Sequence, residues 1–354
     1  MSVKITEHDR LAKSIFQMYE KAEFAMMRNY SRRFAVMAAG KMSRASMIAS
    51  GSSVEREVDG ILSELRDLRI TYTERAIRTA YDESVKAAAN EILSVREDAT
   101  MPPDDENSSK SGGVLDELTK RLDAADNRLK QQYKGTYEDI VSRVSEAVAD
   151  GAGLTDAIEK ELAHLADTGF PGFVDVSGRN WNFATYAETT AVSALETAVI
   201  KGFMHTLELN NYDLVLIQGH YGGCPICQAW NGVVISITGS TKGYPTLDEA
   251  IAAGCFHPRC SHHLRLYREG FGDEVRFRPQ PIKKPLPGYS LTQKQRRLEA
   301  EIRRWKRRAA VSITPMGEKT AYAYIRYYQR EIREILKENT GAARLRWREG
   351  SGKG

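Results

Sequence analysis

The residues best suited to chemistry in this sequence are cysteines and histidines crowded into one short window. Cys224 and Cys227 are separated by two residues, and His257 and Cys260 repeat that spacing. Two such pairs can reach a single ion in tetrahedral geometry, and thiolates with imidazole are ligands that zinc prefers. We therefore predict one structural zinc ion bound by Cys224, Cys227, His257 and Cys260, which leaves Cys255 as a spare thiol.

The sequence leaves other roles for these cysteines and histidines open. Free cysteine is among the most buried residue types, so the thiols could simply be packed in a core. Two of them could instead form a disulfide inside an extracellular particle. His220, His262 or Cys255 could also replace one of the four assigned ligands. The spacing favours metal binding over packing or a disulfide, but it does not fix the ligand set.

The compartment expected for the chain favours a metal over a disulfide. The sequence becomes charged at Lys4 and lacks the apolar segment of a secretory signal. Its longest apolar runs, such as residues 214–217, fall far short of the roughly 20 residues needed to cross a bilayer. We therefore expect no membrane span and synthesis in a reducing cytoplasm, where a chain gains little from disulfides.

The metal site is predicted to be structural, and the protein is not expected to be an enzyme. A catalytic zinc keeps one open coordination position and needs a nearby general base, whereas here the candidate ligands exceed four and no acid lies between them. Zinc deaminases need His-x-Glu before Pro-Cys-x-x-Cys. In this chain His220 is followed by Tyr221-Gly222, and Pro225 lies between the two cysteines. The motif therefore excludes that enzyme.

The main rival function is a zinc-containing, metal-dependent nuclease. His262 and His263 could supply the free histidine that such an enzyme needs, but no asparagine or acidic partner stands at a convincing spacing. A cytoplasmic DNA-binding regulator is a third alternative, which the absence of a recognisable helix-turn-helix disfavours.

The elements around this window are predicted to be mainly helical. Apolar spacing and capping residues indicate helices over about 6–33, 52–93 and 183–209, among others. The second of these carries a coiled-coil-like seam: Val58, Ile61, Leu65, Leu68 and Tyr72. The third carries a face of small side chains suited to close packing: Ala187, Ala191, Ala194, Ala198 and Gly202.

The cysteine window itself reads as a small α+β module. The apolar run over residues 213–218 predicts a buried strand, and Asn231-Gly232 predicts a turn. Thr246 and Glu249 form a capping box that opens a short helix, and Gly254 is placed to end that helix just before the third cysteine. The fold class is therefore mainly α with a small α+β zinc-binding module, in an elongated multi-helix architecture.

A chain of 354 residues is long enough for two or three cores. Residues 100–113 combine proline, glycine, serine and acid without an apolar face, and residues 271–290 are rich in proline. The predicted order is an N-terminal helical region (1–98), a linker (99–113), a helical region (114–170), the α+β module with the Cys/His cluster (171–270), a Pro-rich tether (271–290) and a basic helical C-terminal region (291–354).

Charge is distributed unevenly along the chain. Residues 259–354 carry a net charge of about +14, whereas residues 1–258 carry about −10. A dense cationic helix of this kind binds nucleic acid electrostatically and without sequence preference. A solvated face, or docking on an acidic protein, is the open alternative. The acidic part would be repelled by nucleic acid and should contact protein, such as sister copies of this chain. The predicted nucleic-acid contacts are Arg296, Arg297, Arg303, Arg304, Lys306, Arg307 and Arg308.

Several of these motifs together resemble the phage minor capsid protein 2 family, which is related to the Mu F-like head morphogenesis proteins. The resemblance covers about residues 135–340 and places the Mu F-like module at 171–270. It rests on Trp181, Tyr186, Gln218-Gly219-His220, the stretch from Cys224 to Trp230-Asn231-Gly232, Thr246-Leu247, the stretch from Phe256 to His262, and Tyr289 to Glu299 followed by an arginine-rich helix.

The resemblance implies a virion protein present in few copies inside or beneath the capsid. It would be made in the cytoplasm of a host bacterium, lie near the portal, contact the portal protein, other head proteins and packaged DNA, and act in head assembly or genome delivery. No catalysis is implied. One departure is that Val192-Ser193 stands where many members carry an Arg-Thr pair, so any role of that arginine is unsupported here.

Overall fold

The structure, a computed structural model, describes most of the chain. The described residues are 5–170, 173–174, 178, 180–219, 224–257, 262–268, 270, 275–282, 284–285, 287–338 and 344–350. Within these ranges the fold is mainly α-helical with two small antiparallel sheets, which confirms the predicted fold class. Among the described helices, none is both long and apolar enough to cross a membrane.

The described ranges contain ten α-helices, five short strands and one 3-10 helix. The α-helices are α1 (Ile5–Ala38), α2 (Arg44–Ala49), α3 (Gly51–Leu93), α4 (Asp104–Ala149), α5 (Leu154–Thr168), α6 (Phe183–Leu209), α7 (Pro225–Trp230), α8 (Leu247–Ala252), α9 (Pro287–Val311) and α10 (Pro315–Glu338). The strands are β1 (Phe173–Val174), β2 (Asn180–Trp181), β3 (Leu214–Gln218), β4 (Val234–Ser236) and β5 (His263–Leu266), and the 3-10 helix covers Arg346–Glu349.

The chain divides into two compact units, each assembled from separate segments. Unit 1 contains residues 1–12, 71–120 and 189–291, and unit 2 contains residues 13–70, 121–188 and 292–354. The sequence suggested consecutive regions instead. Long helices explain the difference, because α3 and α4 each contribute one part of their length to unit 1 and the other part to unit 2.

Unit 1 is built around a three-stranded antiparallel sheet with the strand order β4-β3-β5. Its central strand is the predicted apolar run, in which Val215 pairs with Ile235 on one side and with Leu266 on the other. At the open edge, Glu91 of α3 accepts a hydrogen bond from the backbone N–H of Leu266 at 2.7 Å. An exposed strand edge invites pairing with other chains, so this carboxylate protects the sheet.

Helices α3 and α6 approach each other closely within unit 1. The predicted small-residue face of α6 is buried at Ala191 and Ala198. A Cβ atom at Gly202 would lie 2.6 Å from the carbonyl oxygen of Tyr81, so only glycine fits at this crossing. The hydroxyl of Ser84 also donates to the carbonyl oxygen of Val199 at 2.5 Å. The small side chains therefore bring two helix backbones into contact, as the sequence predicted.

Unit 2 contains an aromatic core and a pair of packed helices. The ring of Tyr30 lies 4.7 Å from that of Tyr133 and 5.6 Å from that of Phe170, between centroids. Helices α9 and α10 lie in the predicted helical C-terminal region, and the ring of Trp305 stacks on that of Tyr324 with centroids 4.0 Å apart. The rest of their shared core consists of Ile302, Ala321, Ile325 and Ile332.

A charged cluster is buried in the same unit. The guanidinium of Arg69 is only 1% exposed, donates to the hydroxyl of Tyr19 at 2.6 Å and forms ion pairs with Asp123 and Asp126. Burial raises the pKa of Asp126 to about 6, even though the adjacent arginine acts in the opposite direction. Removing Arg69 from this cluster would leave Asp126 largely buried without its ion-pair partner.

The predicted linker at 99–113 is wrong over most of its length, because α4 begins at Asp104 and continues to Ala149. Three acidic residues, beginning with Asp104, occupy its first turn, where their negative charges stabilise the helix by interacting with the positive end of its dipole. Ser111 is 2% exposed, and its hydroxyl donates to the carbonyl oxygen of Asn107 at 2.7 Å. The acidic, serine-rich segment that looked like a linker in the sequence is therefore the N-terminal part of α4.

The predicted Pro-rich tether at 271–290 is shorter than expected. Helix α9 already begins at Pro287, since proline is well suited to the first helical position. Residues 275–282 are not helical and contact β4 through a bridge between Val233 and Arg276, which agrees with a chain that runs over a surface. Residues 271–274, 283 and 286 lie outside the described residues.

Candidate metal centre

The first two cysteines of the centre lie at the start of the short helix α7. Cys224 caps the helix, and its Sγ accepts a hydrogen bond from the backbone N–H of Cys227 at 3.4 Å. Pro225 takes the first helical position, where its missing N–H costs nothing. Cys227 is buried and Cys224 is half-buried. This local turn directs both sulfur atoms to one side, as expected of a Cys-x2-Cys knuckle.

The histidine reaches the centre through a tight turn after α8. The capping box predicted from Thr246 and Glu249 is present in the structure. Gly254, with φ of 92°, and Phe256, with φ of 55°, then both adopt the left-handed backbone region. For phenylalanine this conformation is unfavourable, so the surrounding structure must impose it. The turn delivers His257, whose Nε2 lies 3.1 Å from the Sγ of Cys224.

The ligand atoms of Cys224, Cys227 and His257 all lie within 4.8 Å of one another. Ligand atoms around a tetrahedral zinc are about 3.5 to 3.8 Å apart when Zn–S is about 2.3 Å and Zn–N about 2.0–2.1 Å. Small side-chain adjustments therefore suffice to place one ion between them. Two thiolates and an imidazole suit zinc in particular.

The structure thus brings together three of the four predicted zinc ligands. The fourth, Cys260, lies outside the described residues, as does His220. Among the residues that are described, Cys255 does not join the ligand group and is buried in the core of unit 1 instead. His262 is also outside the group and buried, at 8% exposure. The choice of Cys260 over these alternatives stays a prediction.

The structure explains why glycine stands at position 219, which the sequence alone did not. A Cβ atom there would lie 2.2 Å from the Nε2 of His262, so a larger residue would displace this buried ring. The N–H of Gly219 donates to the Oδ1 of Asn231 at 2.6 Å, and Gly232 turns the chain with φ of 79°. Gly219 and the Asn231-Gly232 pair therefore tie the end of β3 to the segment that leads into β4.

Most of the seven cations predicted to contact nucleic acid make contacts within unit 2 instead of facing outward freely. Arg303 and Lys306 donate hydrogen bonds to the carbonyl oxygens of Arg348 and Gly350. Burial lowers the pKa of both groups. The Nε of Arg307 donates to the carbonyl oxygen of Ala166 at 2.7 Å. These three cations therefore hold segments of unit 2 together.

Two more of the seven face a single carboxylate. Arg308 makes a two-pronged ion pair with Asp167, and this hydrogen bonding raises the pKa of Arg308. Arg304 pairs with Glu301 at 2.9 Å and lies 3.9 Å from Asp167. Arg296 is half-buried, whereas Arg297 is exposed. At least five of the seven side chains thus have protein partners, and contact with nucleic acid stays a prediction for the set.

Comparison with known proteins identifies the family of this chain. The family model described as phage minor capsid protein 2 matches residues 6–337, nearly the whole chain and more than the resemblance in the motifs suggested. No curated protein and no solved structure gives a significant match. A match of this extent covers both compact units and the metal centre. The chain therefore belongs to the phage minor capsid protein 2 family.

Proposed function

We propose that this protein is a minor structural component of a tailed-phage head, located inside the capsid near the portal. The observation that carries the proposal is the family match over residues 6–337. The partners are other head proteins, among them the portal. Residues 1–258 carry a net charge of about −10 and would be repelled by packaged DNA, which favours contact of that part with protein. Detection of the chain in purified DNA-filled particles tests the proposal.

The basic C-terminal region contacts packaged DNA in this proposal and aids genome delivery. Its net charge of about +14 over residues 259–354 supports an electrostatic role, because each phosphate neutralised by lysine or arginine releases a counterion. Such contacts need no base recognition, which suits a protein that meets every part of the genome. Purified protein should therefore bind duplex DNA of any sequence at low salt.

The metal centre holds a structural zinc ion in this proposal. The support is the convergence of Cys224, Cys227 and His257 in one group. Two thiolates and one imidazole, with Cys260 as the fourth ligand, close the coordination sphere and leave no position for substrate. Zinc would then stabilise the small module around β3, β4 and β5.

We propose no catalytic role for this centre. The Nε2 of His263 lies 3.2 Å from the Oε1 of Gln218, and the ring of His262 is packed against Gly219, so both histidines have structural surroundings. Purified protein should show no DNA cleavage with magnesium, manganese or zinc added. Cleavage that disappears in His262→Ala or His263→Ala would establish the nuclease instead.

A further inference from the structure

Helix α10 presents a row of cations that is separate from the predicted contacts on α9. Positions 319, 323, 326, 330, 333 and 337 follow each other at alternating steps of four and three, which places them on one face of a helix. All six are exposed, and five of them are basic. We call this set the α10 stripe: Lys319, Arg326, Arg330, Arg333 and Lys337, with Ala323 between the first two.

The opposite face of α10 fixes the stripe at the surface. Ala321, Ile325 and Ile332 are buried and pack in one cluster with Ile302 and Trp305 of α9. Because the packed positions are interleaved with the stripe positions along the helix, α10 cannot turn its cations inward without exposing this core. The stripe therefore has a defined outward orientation within unit 2.

Most cations of the stripe have no partner among the residues that the structure describes. Across the described part of the chain, Lys319, Arg326, Arg330 and Arg333 make no hydrogen bond or ion pair, whereas Lys337 pairs with Glu334 at 2.9 Å. Like charges three or four residues apart destabilise a helix by about 0.2–0.5 kcal/mol per pair. The stripe carries this cost without compensating partners, whereas at least five of the seven predicted α9 cations bond to groups within unit 2.

We propose that the α10 stripe is the surface that binds the phosphate backbone of packaged duplex DNA. This inference rests on the DNA contact in the proposed function and assigns that contact to the α10 stripe instead of the cations of α9. With a rise of about 1.5 Å per residue, Arg326, Arg330 and Arg333 are about 4.5–6 Å apart along the helix. Duplex DNA presents one phosphate charge per about 1.7 Å of its axis, so each guanidinium finds a phosphate whatever the sequence.

The composition of the stripe favours a polyanion over an acidic protein. The core of a protein–protein interface is depleted of most charged residues, arginine excepted, and enriched in aromatic side chains. From position 326 to position 337 the stripe contains only basic residues. Tyr324, beside it, already stacks on Trp305. Tyr324 and Tyr327 are exposed on the flank of the stripe, but the stripe itself offers dense positive charge without an apolar centre.

A salt titration of duplex DNA binding by the full chain tests this assignment. The stripe variant carries Arg326→Gln, Arg330→Gln and Arg333→Gln. Its slope of log affinity against log salt should be flatter than that of wild type by up to about 2.7, because each lost phosphate contact on duplex DNA contributes about 0.9. Affinity at about 0.1 M salt should fall on the order of tenfold or more.

Two control proteins separate the stripe from net charge and from folding. The first carries Arg56→Gln, Lys86→Gln and Lys201→Gln, which remove the same charge from exposed, scattered positions; its slope should stay close to wild type. The second carries Arg326→Lys, Arg330→Lys and Arg333→Lys and should retain the wild-type slope, because phosphate neutralisation needs charge only. Substituting the α9 cations would be a poor test, since their loss breaks contacts inside unit 2.

The outcomes distinguish the stripe from the wider proposal. A flattened slope in the stripe variant alone supports the assignment. If wild type binds but the stripe variant and the scattered variant behave alike, the stripe assignment is overturned and the DNA contact lies elsewhere. If wild type fails to bind duplex DNA at low salt, the proposed DNA contact fails together with the stripe.

Discussion

Removal of the proposed zinc ion is expected to unfold the module around β3, β4 and β5 in unit 1. In small metal-bound modules the binding free energy of structural zinc, about 10–16 kcal/mol near neutral pH, serves largely as folding free energy. The strands here are only three to five residues long, so they depend strongly on what holds their ends. Hydrogen exchange at the backbone amides of β3 should become much faster after chelation, and addition of zinc should restore protection.

Two cysteine variants make this test specific to the metal. Cys227 and Cys255 are both buried in the core of unit 1, at 1% and 2% exposure, but only Cys227 belongs to the ligand group. Cys227→Ser should lose zinc and lose the response to chelator, whereas Cys255→Ser should keep about one equivalent. Less than about half an equivalent of zinc in reduced wild type would refute the metal assignment, as would equal zinc content in the two variants.

Replacing Arg69 by methionine should lower the free energy of unfolding by about 3–5 kcal/mol. The substitution leaves Asp126 nine-tenths buried and Asp123 partly buried without their shared cation, which is the costly way to break a buried ion pair. It also removes the hydrogen bond to the hydroxyl of Tyr19. Chemical denaturation followed by circular dichroism measures the change.

Arg66 provides a matched control from the same helix. It pairs with Asp123 at 2.8 Å but is 55% exposed, so Arg66→Met should cost less than about 1 kcal/mol. Equal destabilisation by the two substitutions would show that the burial of Arg69 is not what matters.

The pH dependence of the Arg69→Met variant gives a second readout. The pKa of Asp126 is already raised to about 6 by burial, so the folded protein binds this proton more tightly than the unfolded chain does. Stability from this group therefore increases as pH falls through that pKa, and loss of the arginine raises the pKa further. The penalty of the substitution should be smaller at about pH 5 than at about pH 8. A pH-independent penalty would contradict this account.

The grouping of three candidate metal ligands was predictable because their geometry is local. A Cys-x2-Cys turn and a capped helix ending in Gly254 are specified by residues close in sequence, so spacing alone predicted that Cys224, Cys227 and His257 lie together, as they do in the structure. The bounds of α6 were also predicted, since small and apolar residues repeat there at helical spacing. Cys260 could be proposed on spacing, but nothing in the described residues tests it.

Buried charges were not predictable, because sequence does not show which side of a helix finds a partner. The seam predicted on α3 is buried at Val58 and Leu65, but Leu68 and Tyr72 are 47% and 50% exposed, and the buried position nearby is Arg69. Arg307 and Arg330 look alike in sequence. Only the fold shows that Arg307 is held by a carbonyl oxygen while Arg330 faces outward.

The most direct test of a structural role in the head is quantitative mass spectrometry of purified, DNA-filled particles. The chain should be present in a fixed, low ratio to the major capsid protein, and it should resist protease until the particles are opened. Its absence from washed particles, with the chain found only in the lysate of infected cells, would contradict assignment to the virion. Protease sensitivity in intact particles would place the chain on the outside and refute its proposed position in the capsid interior.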